Sequence, residues 1–379
     1  MKICLINNLY EPYARGGAER IVKNIADGLK KQNHKVFIIT TKPYFGCRRS
    51  DVGDRMSEIG YRIYYLKSFY YNLNKIPKFL RLFWHIFDVF DFNSYFKIKK
   101  ILKKENPDLV ITHNLKGIGY LTPLAVKKSR VKYFHTLHDV QLLIPSGLLI
   151  KGEEKNWINK NFLVRLYIAI NKKLFSCPDL IISPSNWLLD FYAQKGFFQN
   201  IKKKIIKNPI PQNFAKQNKN FTQNSNQDFT FLYVGQIETH KGILFLINVF
   251  QKLCEQSPSI KYKLIVIGSG SKLKIAEKLA KNNDKIIIKG KIPNSELSVF
   301  FSQANILIMP SLCCENSPTV ISESFSCGLP VLAANIGGAA ELIKENKNGY
   351  TFIAGNKNDL TQKIKFCFNN KNKIYQFKK

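Results

Sequence analysis

Two glutamates, Glu315 and Glu323, stand eight positions apart in the stretch CCENSPTVISESFSCGLPVLAANIGG, residues 313–338. Ser317-Pro318 lies between them, and Gly-x-Pro and a Gly-Gly pair follow. Serine is favoured at a helix N-cap and proline at the first helical position, so Ser317 and Pro318 predict a helix running TVISESFSC. Gly328 would end it, with Pro330 just beyond. Glu315 then lies in the preceding loop and Glu323 about a turn and a half into the helix. The amides of Thr319, Val320 and their neighbours would be unpaired at the positive end of the helix dipole, a site for an anion such as a diphosphate. A carboxylate accepts hydrogen bonds from vicinal hydroxyls with no metal between them. Two carboxylates beside a phosphate cradle suit a nucleotide-sugar, one for the sugar hydroxyls and one for the ribose. Set against this, a helix dipole favours solvated carboxylates at its N-terminus without any ligand.

Elements that could position these residues recur along the chain. KICLINN is a short apolar strand and YARGGAER a turn. IVKNIADGLKKQ has apolar residues at helical spacing, and KVFIIT is a second strand. This βαβ order predicts a parallel sheet. DLVITH, KYFHTLHD and LIISPS are further strands, with His135 and His138 both placed on the second of them. A second series follows residue 228: FTFLYVGQ, YKLIVIGSG, KIIIKGKI, NILIMPS and PVLAAN. The Asn-, Gln- and Pro-rich segment between them reads as a linker. The expected domains are residues 1–206, a linker at 207–228 and residues 229–379. The fold class is α/β: two facing doubly wound domains, with a cleft at the C-terminal ends of their strands.

The 379 residues carry 59 Lys and Arg against 26 Asp and Glu, a net charge of +33. Residues 1–207 hold +22 of it and the remainder +11. Anionic partners are expected, unless the excess reflects a Lys-rich proteome. Residues 61–104 interleave aromatic and basic side chains. They read either as a pair of core-packed helices with basic outer faces or as a surface that lies on anionic lipid. Nucleic-acid binding is disfavoured, because no helix-turn-helix or RNP-type pattern occurs. No apolar run is long enough to cross a membrane, and the N-terminus lacks a signal-peptide pattern. Eight scattered cysteines without Cys-x-x-Cys fit a reduced compartment and no zinc site. His113, His135 and His138 are not expected to bind metal, because a spacing of three on a strand points 135 and 138 to opposite faces. No Asp-x-Asp occurs.

In this order, the motifs resemble those of the retaining glycosyltransferase family 4, whose GT-B fold has two facing Rossmann-like domains. Glu-x7-Glu followed by Gly-x-Pro-Val resembles that family's donor-site motif. GGAER (16–20), THNL (112–115), TLHD (136–139), SPSNW (183–187), KNPIP (207–211) and VGQIETHKG (234–242) resemble its other segments. The resemblance implies that Glu323 binds the donor ribose and Glu315 the donor sugar. It implies that Lys241 contacts the diphosphate with the amides around Ser317, Pro318, Thr319 and Val320, beside Gly235. Gly16 and Gly17 would admit the first loop to the donor phosphate, and His138 would sit beside the reacting sugar. Gln236 stands where the family commonly has Arg, and the family's crossover helix is expected to be short or absent here.

The expected activity is a metal-independent transfer of a hexose from a UDP- or GDP-sugar to a glycan or lipid-linked acceptor hydroxyl, with retention. No cofactor beyond the nucleotide-sugar co-substrate is expected. The expected location is the cytoplasm, at the inner face of its membrane. The competing expectations are a GT-B nucleotide-sugar epimerase and a catalytically impaired protein that binds an anionic surface.

Overall fold

The computed structural model describes residues 1–14, 16–44, 55–56, 60–75, 77, 81–152, 162–209, 228–258 and 261–377. The linker expected at 207–228 lies almost wholly outside them. The chain divides into two compact units, Met1–Leu148 with Lys155–Pro209, and Leu149–Glu154 with Ile210–Lys379.

The first unit contains β1 (Lys2–Ile6), β2 (Lys35–Pro43), β3 (Arg55–Met56), β4 (Arg62–Ser68), β5 (Leu109–Thr112), β6 (Lys132–Thr136), β7 (Leu180–Ser183) and β8 (Lys202–Ile205). They form one sheet in the order β3-β4-β2-β1-β5-β6-β7-β8. Every pairing is parallel except β3 with β4. β1 and β2 are nearly continuous apolar runs, the pattern of strands covered on both faces. Ile3 and Leu5 pack against Val22 and Ala26 of the helix Gly17–Lys31. β8, with the sequence KKKI, is exposed along its length. Lysines along an edge strand discourage pairing with another chain.

Residues 61–104 do not form the expected pair of helices alone. Tyr61, Ile63, Tyr64 and Leu66 are buried, and β4 adds to the sheet beside β2. Among the described residues, a 3₁₀ helix follows at Phe69–Lys75 and α-helices at Arg81–Val89 and Phe92–Glu105. β-branched and aromatic residues in RIYYLKS favour a strand, and the aromatic-basic composition of the whole stretch concealed it.

The second unit has β9 (Phe229–Val234), β10 (Tyr262–Ile267), β11 (Ile286–Gly290), β12 (Ile306–Met309), β13 (Val331–Ala334) and β14 (Gly349–Phe352). All are parallel, in the order β11-β10-β9-β12-β13-β14. Side chains alternate between two cores. Phe231, Tyr233, Ile306, Ile308, Leu332 and Ala334 face one, and Leu232, Leu307, Met309, Val331 and Ala333 face the other. Leu360, Ile364 and Cys367 of the helix Lys357–Asn369, and Ile374 beyond it, join the first of these cores. The strand order reverses direction between β9 and β12. In doubly wound sheets, ligands bind outside the carboxyl ends of the strands at such a point.

Candidate functional site

The loops that leave β9 and β12 carry Lys241 and Glu315. The Lys241 Nζ donates to Glu315 Oε2 at 2.7 Å. The Ser311 hydroxyl donates to the other carboxylate oxygen. Burial alone would raise the Glu315 carboxyl. The Lys241 ammonium, and after it the Ser311 hydroxyl, outweigh that and hold it below its ordinary 4.5. Burial likewise opposes the Lys241 charge, yet Glu315 raises the ammonium above its ordinary 10.5. Both groups therefore stay ionised across neutral pH. An ammonium has three donors, so the bond to Glu315 leaves two N–H directions for another anion.

Local backbone geometry explains why glycines flank this pair. Thr239–Lys241 form one 3₁₀ turn, which ends at Gly242 with φ +72°. A Cβ on Gly242 would stand 1.8 Å from the Pro310 carbonyl oxygen, so only glycine lets the β9 loop lie against the β12 loop. The Leu312 amide donates to the His240 carbonyl at 2.9 Å and ties the two loops together. At the other end, the Glu315 carbonyl accepts from the amides of Gly338 and Ala339 at 2.8 and 3.2 Å. Gly337, with φ +64°, passes so close to Glu315 that a Cβ would lie 2.6 Å from its carbonyl oxygen. The Gly-Gly pair therefore clamps the backbone of the loop that presents Glu315.

The helix at this site is Thr319–Ser326, with Pro318 as its N-cap. It begins one residue later than Ser317-Pro318 predicts, because Pro318 takes an extended ψ of 124° and stands outside the helix. Thr319 and Val320 are thus its first two residues, and an α-helix leaves its first amides without intrahelical partners. Glu323 follows one turn on and is only 2 % exposed. Gly328 ends the turn after this helix at φ +69°. Gly235 follows β9 directly, and its amide donates to the Ile267 carbonyl at 3.0 Å. The Gln236 side chain is exposed, while its carbonyl accepts from the Tyr233 hydroxyl at 2.7 Å. Lys241, Glu315, Ser317, Pro318, Thr319, Val320, Glu323 and Gly235 thus all belong to the second unit.

Gly16, Gly17 and His138 belong to the first unit. Gly16 caps the helix Gly17–Lys31, and its amide donates to Glu19 Oε2 at 2.8 Å. His138 is not on a strand: β6 ends at Thr136, and His138 and Asp139 lie beyond it. Opposite strand faces therefore do not separate His135 from His138. His135 Nδ1 pairs with Thr112 Oγ1 at 2.7 Å, whereas His138 Nε2 pairs with His113 Nδ1 at 2.9 Å. Burial pushes His138 down to about 4, so it is an uncharged imidazole at neutral pH. The same cause, and after it His138, lowers His135 to about 3. The three histidines and Asp139 line a cavity of about 20 Å³, room for one water rather than a sugar. Among the described residues, no three His, Cys, Asp or Glu side chains are grouped to hold a metal ion.

Two contributors carry no motif in the sequence. Ser311 stands beside Pro310 at a strand end, where nothing marks it. Glu238 fastens the β9 loop to the loop after β10: its carboxylate accepts from both the amide and the hydroxyl of Ser271 at 2.6 Å. A third anchor comes from far away in sequence. The Lys151 amide donates to the Leu312 carbonyl at 2.9 Å, and the Cys314 amide donates to the Leu149 carbonyl at 2.8 Å. Residues 149–152 thus form a short rail beside the loop that holds Glu315.

Known proteins share this fold. A family model described as Glycosyltransferase Family 4 matches residues 15–214, and one described as Glycosyl transferases group 1 matches residues 214–379. An uncharacterized 42.6 kDa protein in the cps region of Klebsiella pneumoniae is 26% identical, over 92% of this chain and 89% of its own. The alpha-monoglucosyldiacylglycerol synthase of Streptococcus pneumoniae is 24% identical, over 88% of this chain and 71% of its own. The crystal structure of Anabaena Alr3699/HepE in complex with UDP-glucose matches with a TM-score of 0.69 and 18% identity. That match covers 100% of this chain and 92% of the other. Sucrose-phosphate synthase from Thermosynechococcus elongatus matches with a TM-score of 0.72 and 18% identity, over 100% and 92%. The fold is that of GT-B glycosyltransferases, with two α/β domains built on parallel sheets.

Proposed function

The chain belongs to glycosyltransferase family 4, and we propose that it moves a hexose from a nucleoside diphosphate sugar to an acceptor hydroxyl with retention at the anomeric carbon. The observation that carries this reading is the Lys241–Glu315 pair at the switch point of a parallel sheet, with Glu315 on a loop that runs four residues later into the helix beginning at Thr319. Lys241 and the helix N-terminus bind the diphosphate, Glu315 the sugar hydroxyls and Glu323 the ribose. In the reaction, the bond from the anomeric carbon to the diphosphate breaks and a bond to the acceptor oxygen forms. The acceptor proton passes to the leaving phosphate. Charge that builds on the diphosphate meets fixed positive groups, the arrangement that stabilises such a transition state most. No side chain is marked as a covalent nucleophile, so attack on the same face within an ion pair accounts for retention.

The relative from Streptococcus pneumoniae bears the name of a lipid glycosylation, and the solved Anabaena protein was crystallised with UDP-glucose. Both support a UDP-linked donor and a lipid-linked acceptor here. The cradle of amides and Lys241, in a chain without Asp-x-Asp, supports a metal-independent reaction. Turnover is expected to persist in EDTA; loss of turnover that manganese or magnesium restores would show otherwise. Thermal-shift screening against UDP- and GDP-sugars identifies the donor. Release of nucleoside diphosphate is then expected only when acceptor is added. Conversion of the donor to an isomer without acceptor would identify an epimerase instead, and binding without turnover an impaired enzyme.

A further inference from the structure

The helix Arg81–Val89 is inverted. Its positions 83, 86 and 87 hold Phe83, Ile86 and Phe87, and Phe90 follows in the turn just past its end; all four are exposed, Phe87 to 74%. Asp88 and Val89, from its other side, are the buried ones. Residues spaced three and four apart share one helix face, so these four form a single apolar stripe directed outward. The next helix, Phe92–Glu105, continues the pattern with a change of chemistry. Its exposed stripe reads Phe92, Phe96, Lys99, Lys103, with Lys100 alongside, while Ser94, Ile98 and Leu102 are buried. Apolar rings thus pass into ammonium groups along one face. A third helix, Phe162–Leu174, exposes Phe162, Leu163 and Leu166 at the same spacing, with Arg165 exposed among them. It joins the first through Tyr120, whose amide donates to the Asp88 carbonyl at 3.0 Å and whose hydroxyl meets that of Tyr167 at 3.4 Å.

The geometry points to an anionic lipid surface as the occupant of this face: the phenylalanines enter the boundary between headgroups and acyl chains while the lysines contact lipid phosphates. Large rings exposed beside basic residues suit such a boundary. Charge complementarity selects it over a second copy of this chain, since the half of the sequence that carries the face has a net charge of +22 and would repel its like. The described helices contain none long and apolar enough to cross a membrane, so contact through this face is peripheral. This surface is independent of the donor chemistry above.

The test is sedimentation of the full chain with vesicles of phosphatidylglycerol mixed with phosphatidylcholine, and of phosphatidylcholine alone. Two variants accompany it: Phe83→Ser/Phe87→Ser/Phe96→Ser and Lys99→Ser/Lys100→Ser/Lys103→Ser. Lys104 is left intact because its ammonium lies over the Tyr64 ring at 6.0 Å. All six positions are exposed, so melting temperatures should match the wild type. The wild type is expected to bind the anionic vesicles and to release them as salt rises. The lysine variant should bind about a hundredfold more weakly, and the phenylalanine variant should lose binding at a salt concentration the wild type tolerates. Donor binding in lipid-free buffer should be unchanged in both, which separates this surface from the donor site. The proposal is overturned if the wild type ignores anionic vesicles at low salt, or if either variant binds as the wild type does. It is equally overturned if phosphatidylcholine alone binds as well, or if the chain sediments as a dimer that the phenylalanine variant breaks.

Discussion

Glu315 is held at three points: one carboxylate oxygen by Lys241, the other by Ser311, and its carbonyl by Gly338 and Ala339. A residue so restrained presents its charge without reorganising when a ligand arrives. Replacing Lys241 by methionine leaves that carboxylate with less compensation and should lower stability by about 2 kcal/mol. The double variant Glu315→Gln/Lys241→Met should lose less than the two single variants summed, by at least about 0.5 kcal/mol, in a denaturant double-mutant cycle. Additivity would mean the pair is not coupled. Glu323→Gln keeps the shape of a buried side chain and removes a charged acceptor. It should weaken donor binding by about 1.5–3 kcal/mol, measured calorimetrically against UDP-sugar. An unchanged affinity would remove Glu323 from the site. Glu315 and Glu323 drew attention in the sequence because packing alone seldom places charged residues at fixed spacing around a Ser-Pro turn, whereas Lys241 was singled out only through the family resemblance; the structure pairs Lys241 with Glu315. Ser311 and Glu238 were not, since a lone serine or glutamate at a strand end acquires meaning only from what folds against it.

The elements around the site are short turns with single-residue tolerances. Gly242 meets the Pro310 carbonyl, and any Cβ there needs both a displaced loop and a left-handed backbone. Gly242→Ala should therefore cost at least about 1–3 kcal/mol and move Lys241 off Glu315, so that donor binding falls with stability. A variant with wild-type donor affinity would disconnect the turn from the site. Element type was readable wherever apolar runs or helical spacing were unmixed, as in β1, β9, β12 and the helix Gly17–Lys31. It failed for β4, whose aromatic and basic residues match an amphipathic helix as well as a strand. It failed again by one residue at Pro318, where a proline that could open a helix instead sits extended before it. His138 was placed on a strand that stops two residues earlier, because TLH continues the apolar-polar alternation after the hydrogen bonding has ended.

The two units that make up the molecule differ in how they should respond to pH. Burial pushes the Asp139 carboxyl of the first unit from its ordinary 3.8 up to about 7. The folded chain then keeps a proton that the unfolded chain has released, so this contribution to stability is complete below about pH 4 and is lost as pH rises toward 7. Asp88, raised to about 8 by burial, adds a slope of the same sign. Glu315 of the second unit has the opposite sign: its depressed carboxyl stabilises above 4.5 and fails only as acid protonates it. Melting temperatures of Asp139→Asn should fall less steeply than the wild type between pH 4 and 7; an identical slope would contradict a raised Asp139 carboxyl. Sugar transfer with retention is tested most sharply by the NMR spectrum of the product formed from an α-linked nucleoside diphosphate sugar and an acceptor. One nucleoside diphosphate should be released for each sugar transferred, and the new linkage should keep the donor's α configuration. A β linkage, or consumption of the donor with no sugar on the acceptor, would contradict it.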